Sequence, residues 1–166
     1  MSSFTDLGTD RLVLRRWPED EITAVTDGRR LPHWADDFPA EGDVVIAGVI
    51  AEHRHLLGEY GHRQIVERGT GAVVGSIGLM WPPTDGAVEF GYGVVASRRG
   101  RGYATEAARA VVEFALTAPD VHTVHAQVEL ANPASVRVLE KAGLRRLDGD
   151  ATTTRYGLTP ADLPRR

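Results

Sequence analysis

The spacing of apolar residues changes several times along the chain, and each change marks an element. Residues Arg11 to Arg16, RLVLRR, set Leu12 and Leu14 on one face and close at Trp17-Pro18, the pattern of an opening strand. Pro18 begins PEDEITAVTDG, a helix with acids in its first turn, where the helix dipole favours them, ended by Gly28. Leu31 to Gly42 is loop. Asp43 then caps a second helix running to about Leu57, with Val45, Val49 and Leu56 turned inward. Three β-rich runs follow, Gln64 to Arg68, Ala72 to Trp81 and Ala87 to Val95, separated by RGTG and PPTDG turns, which predicts an antiparallel meander.

Beyond Val95 the period lengthens to that of a helix. Ala104, Ala107, Ala108, Val111 and Ala115 form one apolar stripe in a segment reaching Ala118, where Pro119-Asp120 breaks it. A strand from Thr123 to Leu130, a helix from Pro133 to Ala142 ended by Gly143, and two short strands, Leu144 to Leu147 and Thr152 to Leu158, complete the chain. Only the step from Glu89 through the long helix to Leu130 has the form of a crossover to a parallel neighbour, so the fold class is mixed α/β (α+β), not a doubly wound sheet. No repeat or linker interrupts residues 1–166, which read as a single domain.

Composition narrows the function. The chain has 42% hydrophobic and 25% charged residues, a globular balance, and a domain of its 166 residues buries roughly 68–70% of its unfolded surface. It has no cysteine, which excludes disulfides, thiolate metal sites and a cysteine nucleophile. The histidine pairs His53/His55 and His122/His125 lack metal-ligand spacing, so no metal is expected. A net charge of −4 argues against a broad nucleic-acid footprint. The opening MSSFTDLGTD lacks a signal peptide's basic and apolar regions, and the Ala104 to Ala118 segment is too short and too charged to span a bilayer; cytoplasmic residence without a membrane partner is the expectation.

The chemistry gathers in EFGYGVVASRRGRGYATEAARAVVEFAL, Glu89 to Leu116. It reads as strand, turn and helix, with Gly100 and Gly102 allowing the main chain to approach a ligand and the first helical turn leaving N–H groups for an anion. Taken alone, RRGRG could be a solvated basic turn. Gly69-x-Gly71 with Gly75 superficially has a dinucleotide spacing, but AVVGSIGLMW after it is β-like, so a hairpin is the better reading.

Arg99-Gly100-Arg101-Gly102-Tyr103-Ala104 matches R-x-x-G-x-[GA], and with NPASVRVLEKAGL downstream the chain resembles the GCN5-related N-acetyltransferase (GNAT) superfamily, in particular its RimJ/RimL-like ribosomal-protein-alanine acetyltransferase branch. The element order agrees from Thr9 to about Thr159. The resemblance implies a mostly antiparallel sheet of six or seven strands with about four helices, splayed between the fourth and fifth strands. It implies acetyl-CoA as acyl donor, with the pyrophosphate on Arg99, Gly100, Arg101, Gly102, Tyr103, Ala104 and Thr105.

A helix terminus contributes about 0.3–1 kcal/mol, up to ~2 when partly buried, whereas micromolar binding needs about 8, so pantetheine lying in the splay must supply most affinity. There, Val94 and Val95 would pair with its amides as a strand does, and Asn132 would donate to a pantetheine carbonyl while its oxygen caps the following helix. Gly91 and Gly93 are consistent with a bulge that opens this cleft.

Glu89 is the candidate base, because an amine attacks a thioester only when neutral; a strand carboxylate facing solvent or a cross-strand arginine is the alternative. A backbone N–H near Val94 would polarise the thioester carbonyl. Ser135 resembles a residue that returns a proton to the thiolate in related enzymes, or it is a packing serine; the tyrosine that many relatives carry in this helix is missing. The acceptor side offers Trp34, Phe38, Trp81 and Tyr92 as cleft aromatics or core, and Asp148 and Asp150 as attractors of a cationic acceptor or as turn formers. Glu106 and Arg109 read as a helix charge pair. The expected function is direct transfer of an acetyl group to a primary amine, a protein N-terminus or a small molecule, by a monomer or homodimer. The alternative is an inactive acyl-CoA-binding sensor or regulatory module.

Overall fold

A computed structural model of the protein describes residues 6–162; the first five residues, MSSFT, and the last four, LPRR, lie outside it. One sheet of eight strands runs in the order β1-β2-β3-β4-β5-β6-β8-β7. The strands are β1 (Leu7–Gly8), β2 (Leu12–Arg16), β3 (His62–Glu67), β4 (Val73–Leu79), β5 (Ala87–Val94), β6 (Thr123–Glu129), β7 (Arg145–Gly149) and β8 (Thr153–Leu158). The strand that the pattern of apolar residues misses is β1, two residues long and paired with β2 at Leu7 and Gly8, too short to carry a period.

Four α-helices flank the sheet: α1 (Glu19–Thr26), α2 (Glu41–Glu52), α3 (Tyr103–Ala115) and α4 (Pro133–Lys141). The second helix starts two residues before Asp43, whose carboxylate reaches back to the Ala40 N–H at 2.9 Å, and gives way to a 3-10 turn at Arg54–Leu57. Val45 is a correction to the expected inward face. It is 61% exposed, because Ala47 and Ile50 hold the buried side of α2 and Val45 falls on the opposite side of the helix.

Helices take separate faces of the sheet, and strand alternation decides which side chains each face receives. On one face, α1 and α2 meet Gln64 and Ser76, through Glu21 and Asp43 respectively. Ser76 is the register partner of Gly93, so Glu89, Gly91 and Gly93 share that face. The other face carries Val88, Phe90, Tyr92 and Val94 and is covered by α3 and α4. The stripe Ala107, Ala108, Val111 and Ala115 of α3 is 0–3% exposed, the alanines letting the helix lie close on the sheet.

The sheet opens at one place. β5 and β6 are parallel and pair only at Ala87–Thr123, Val88–Val124 and Glu89–His125. Past that rung they diverge, which is the splay expected between the Ala87 and Thr123 strands. Val95 N–H donates to Val74 and Glu89 C=O accepts from Met80, so odd residues of β5 bond towards β4. The C=O of Phe90 and the N–H and C=O groups of Tyr92 and Val94 therefore face the gap, the Phe90 N–H being held in the last rung with His125.

Candidate active site

The loop entering α3 is held from below and bare above. Glu67, at the end of β3 and 6% exposed, accepts from the Tyr103 hydroxyl at 2.7 Å, Arg98 Nε at 3.2 Å and Thr70 Oγ1 at 2.7 Å, with Arg101 at 3.6 Å. Burial pushes the Glu67 carboxyl up, but these hydrogen bonds outweigh it and leave it ionised below its usual range. Arg11 adds a second brace, donating to Arg101 C=O at 2.7 Å, pairing with Glu106 at 2.8 Å and lying 4.8 Å over the Tyr103 ring. Asp37, from the loop before α2, accepts from both Ser97 N–H and Ser97 Oγ.

These braces leave the N–H groups of the turn unspent. Gly100 and Gly102 adopt φ of 78° and 83°, the left-handed region that favours glycine, and Gly102 is the N-cap of α3 without a side-chain partner. Among the described residues, the N–H groups of Gly100, Arg101, Gly102, Tyr103, Ala104 and Thr105 find no acceptor. A row of unpaired N–H groups at the positive end of a thirteen-residue helix is an anion cradle.

The cradle opens into a cavity of about 540 Å³ that runs along Val94, Arg99, Ala104 and Thr105 to Asn132 and Ser135 on α4. A smaller cavity of about 210 Å³ continues into the splay between Phe90–Tyr92 and Ala126–Glu129, sharing Tyr92, Asn132 and Ser135 with the first. The Asn132 oxygen accepts from Ser135 N–H at 3.2 Å, capping α4 and leaving its amide nitrogen beside the cavity. The Tyr92 hydroxyl reaches Ser135 C=O at 3.5 Å, and burial raises its pKa.

Most of the residues singled out for the donor side lie together, but they contribute differently. Val94, Arg99, Gly100, Gly102, Tyr103, Ala104, Thr105, Asn132 and Ser135 line the cavity. Val95 is fully buried, its N–H donating to Val74 C=O and its C=O accepting from Arg98 N–H, so its N–H is not available to a ligand. The side chains of Arg101 and Tyr103 turn to Glu67, so these residues offer N–H groups rather than side chains. Glu89 is half-buried at the last rung before the splay, opposite His125 and on the face away from Ser135. Burial, reinforced by Arg155, lowers the His125 pKa and keeps the ring neutral.

For most acceptor-side candidates the structure takes the core or turn alternative. Trp34 and Phe38 are core, 4% and 0% exposed, with the Trp34 indole donating to Glu21 at 2.7 Å. Trp81 stacks on Tyr60 at 4.5 Å, in a ladder that continues to Phe114 near the far end of α3. Tyr92 alone of these aromatics reaches the cleft, on the donor side. Asp148 is held by Arg155 through contacts of 2.8 and 2.6 Å, and Asp150 accepts from Thr152 and Thr153 N–H groups, which hold its pKa at about 2. Both acids are spent within the β7–β8 hairpin. Glu106 belongs to Arg11 rather than to Arg109, which donates to Lys141 C=O at 2.7 Å. The contribution of Glu67 escapes sequence reading because its partners come from three segments; only its place at a strand end hints at it.

A splayed sheet, a bare helix N-terminus beside the splay and a cavity running along both come together in one site. The chain belongs to the GNAT acetyltransferases: the family described as "Acetyltransferase (GNAT) domain" matches residues 11–145. It is 34% identical over 80 residues to the uncharacterized N-acetyltransferase YjdG of Bacillus subtilis, covering 48% of each chain, so it spans about half of that relative's length. It is 29% identical over 158 residues to the uncharacterized N-acetyltransferase p20 of Bacillus licheniformis, covering 84% of this chain and 85% of that one. The fold superposes on AAC(6')-Ib, solved with paromomycin and acetyl-CoA, with a TM-score of 0.62 at 20% identity over 92% of this chain and 96% of that one. GNAT-fold proteins use acetyl-CoA as donor. Among the described residues no helix is long and apolar enough to cross a membrane.

Proposed function

We propose that the protein transfers the acetyl group of acetyl-CoA directly to a primary amine within a ternary complex. The observation that carries this is the unpaired N–H row from Gly100 to Thr105, opening into a cavity continuous with the splay. The row would bind pyrophosphate, and the gap-facing groups of Val94 and the free Asn132 amide would bind pantetheine, adding up to the affinity that a helix terminus alone cannot supply.

The thioester carbonyl then lies in the gap, its oxygen accepting from a backbone N–H of β5 near Val94. The acceptor approaches on the Glu89 face, over Gly91 and Gly93, where no atom occupies the space a side chain would take. Its neutral nitrogen attacks the carbonyl carbon, the C–S bond breaks, and the nitrogen's proton passes to Glu89 directly or through water. Ser135, on the opposite face, returns a proton to the thiolate. Base and acid on opposite sides of the gap keep the two proton transfers apart.

The test is release of free thiol from acetyl-CoA with a panel of amines: peptides with free N-termini, polyamines, aminoglycosides and amino acids. Amine-dependent thiol release is the expected result. Binding of acetyl-CoA without turnover across the panel would contradict it and favour a sensor.

A further inference from the structure

The smaller cavity has more room than an acetyl group needs. It holds about 210 Å³, and an apolar cavity of about 150 Å³ already accommodates benzene. Phe90, Ala126, Val128 and Leu139, all buried, line it. Strand alternation gathers the first three on the α3–α4 face, where Leu139 comes from α4, while Gln127 and Glu129, of opposite parity, line it from the Glu89 face. The cavity therefore has an apolar side under α4 and a polar side towards the acceptor. Next to Phe90 the Glu89–His125 rung shuts the gap.

The place of this cavity along the donor decides what enters it. It shares Tyr92, Asn132 and Ser135 with the larger cavity. With Ser135 as the group that protonates the leaving thiolate, the sulfur stands at that junction, and the acyl group is the part of the donor that extends beyond it. We propose that the smaller cavity is an acyl pocket, and that the protein transfers short-chain acyl groups longer than acetyl, propionyl and butyryl among them, with Ala126 and Val128 setting the limit. The inference rests on a coenzyme A thioester being the donor. The chemistry does not change with the chain: the amine nitrogen bonds to the acyl carbon, the C–S bond breaks, one nitrogen proton goes to Glu89 and the thiolate takes one from Ser135. The tail lies under α4 while the amine arrives from the other face, so a longer tail leaves the line of attack open. Each methylene buried in the pocket tightens binding by up to about fourfold.

The test measures the Kd of acetyl-, butyryl- and hexanoyl-CoA, with coenzyme A as reference, for the intact protein, Ala126→Leu and Val128→Ala. Butyryl-CoA should bind the wild type about tenfold more tightly than acetyl-CoA, and hexanoyl-CoA should gain nothing further. Ala126→Leu fills the pocket and should remove the butyryl advantage, whereas Val128→Ala widens it and should extend the advantage to hexanoyl-CoA. With an amine that accepts acetyl, kcat/KM for butyryl-CoA should stay within about tenfold of that for acetyl-CoA. Butyryl-CoA binding the wild type no more tightly than acetyl-CoA, the same advantage in Ala126→Leu as in the wild type, or butyryl transfer slower by about 100-fold or more would overturn the proposal. Failure of the wild type to bind coenzyme A would instead overturn the donor reading itself.

Discussion

Around the splay, the two faces of the sheet are built from different materials. On the α3–α4 face the groups left free are backbone: the N–H row from Gly100 to Thr105 and the gap-facing groups of β5 other than the Val94 C=O, which accepts from Arg99. On the α1–α2 face the polar groups are side chains, and they already hold one another. Glu21 accepts from Arg15, His33, Trp34 and Gln64, and Asp43 from Ser76 and Ala40. Even at the sheet's far edge, Asp148 is closed by Arg155. A donor that is constant across a family can be held by main chain, which any sequence able to make the turn supplies. An acceptor must be read by side chains, and among the described residues of this face Glu21 and Asp43 are already held while the Glu89 carboxylate has no hydrogen-bond or ion-pair partner.

The largest effect should come from spoiling the backbone side. Gly102→Glu places a side chain at φ of 83°, its Cβ 3.3 Å from Arg11, and adds negative charge at the cradle. Acetyl-CoA affinity should fall at least about 100-fold, ~2.7 kcal/mol by calorimetry, with circular dichroism checking that the fold persists. Retained thermal stabilisation by acetyl-CoA would sink the cradle assignment.

Glu89→Gln works from the other face. Turnover at neutral pH should drop about 100-fold with the KM for acetyl-CoA little changed, since the carboxylate meets the acceptor rather than the donor. Unchanged turnover would move the base elsewhere, with neutral His125, its register partner, the next residue to test.

His62 measures how tightly the α1–α2 face is sealed. Its ring lies over Gly78, where a Cβ would come within 2.1 Å of Nδ1, and burial lowers its pKa from 6.5 to about 4. The unfolded chain therefore takes up the proton first. Stability from this group is intact above pH 6.5 and is lost as pH falls towards 4, by about 3 kcal/mol. Urea unfolding at pH 7 and pH 4.5 should show His62→Leu with a shallower acid slope than the wild type; equal slopes would mean the imidazole is not sealed.

The smallest effect is expected at Asp148. Because Arg155 already holds it, Asp148→Asn should leave the acceptor KM within about twofold; a larger rise would return the hairpin to the acceptor site.

The geometry of the α3 entry loop was legible in the sequence because its determinants are local. Arg99 to Thr105, with its two glycines and the amphipathic run behind it, defines turn, helix start and free N–H groups within one stretch. The crossover followed from a single strand-helix-strand order, and the splay from the family resemblance. The acceptor side was not legible, because each side chain's fate depends on a partner distant in the chain: Trp34 with Glu21, Glu106 with Arg11, Trp81 with Tyr60. Val45 shows the same limit in miniature, since a helix apolar on several sides does not say which side the sheet takes. The short β1 and the Glu67 brace belong to this class too.

In the proposed function, the backbone of the α3 entry loop holds the donor's pyrophosphate. Amide resonances of isotope-labelled protein titrated with coenzyme A report on it directly. Large downfield proton shifts are expected at Gly100, Gly102, Tyr103, Ala104 and Thr105, reproduced in part by inorganic pyrophosphate alone. Saturation by coenzyme A with those amides unmoved would contradict it.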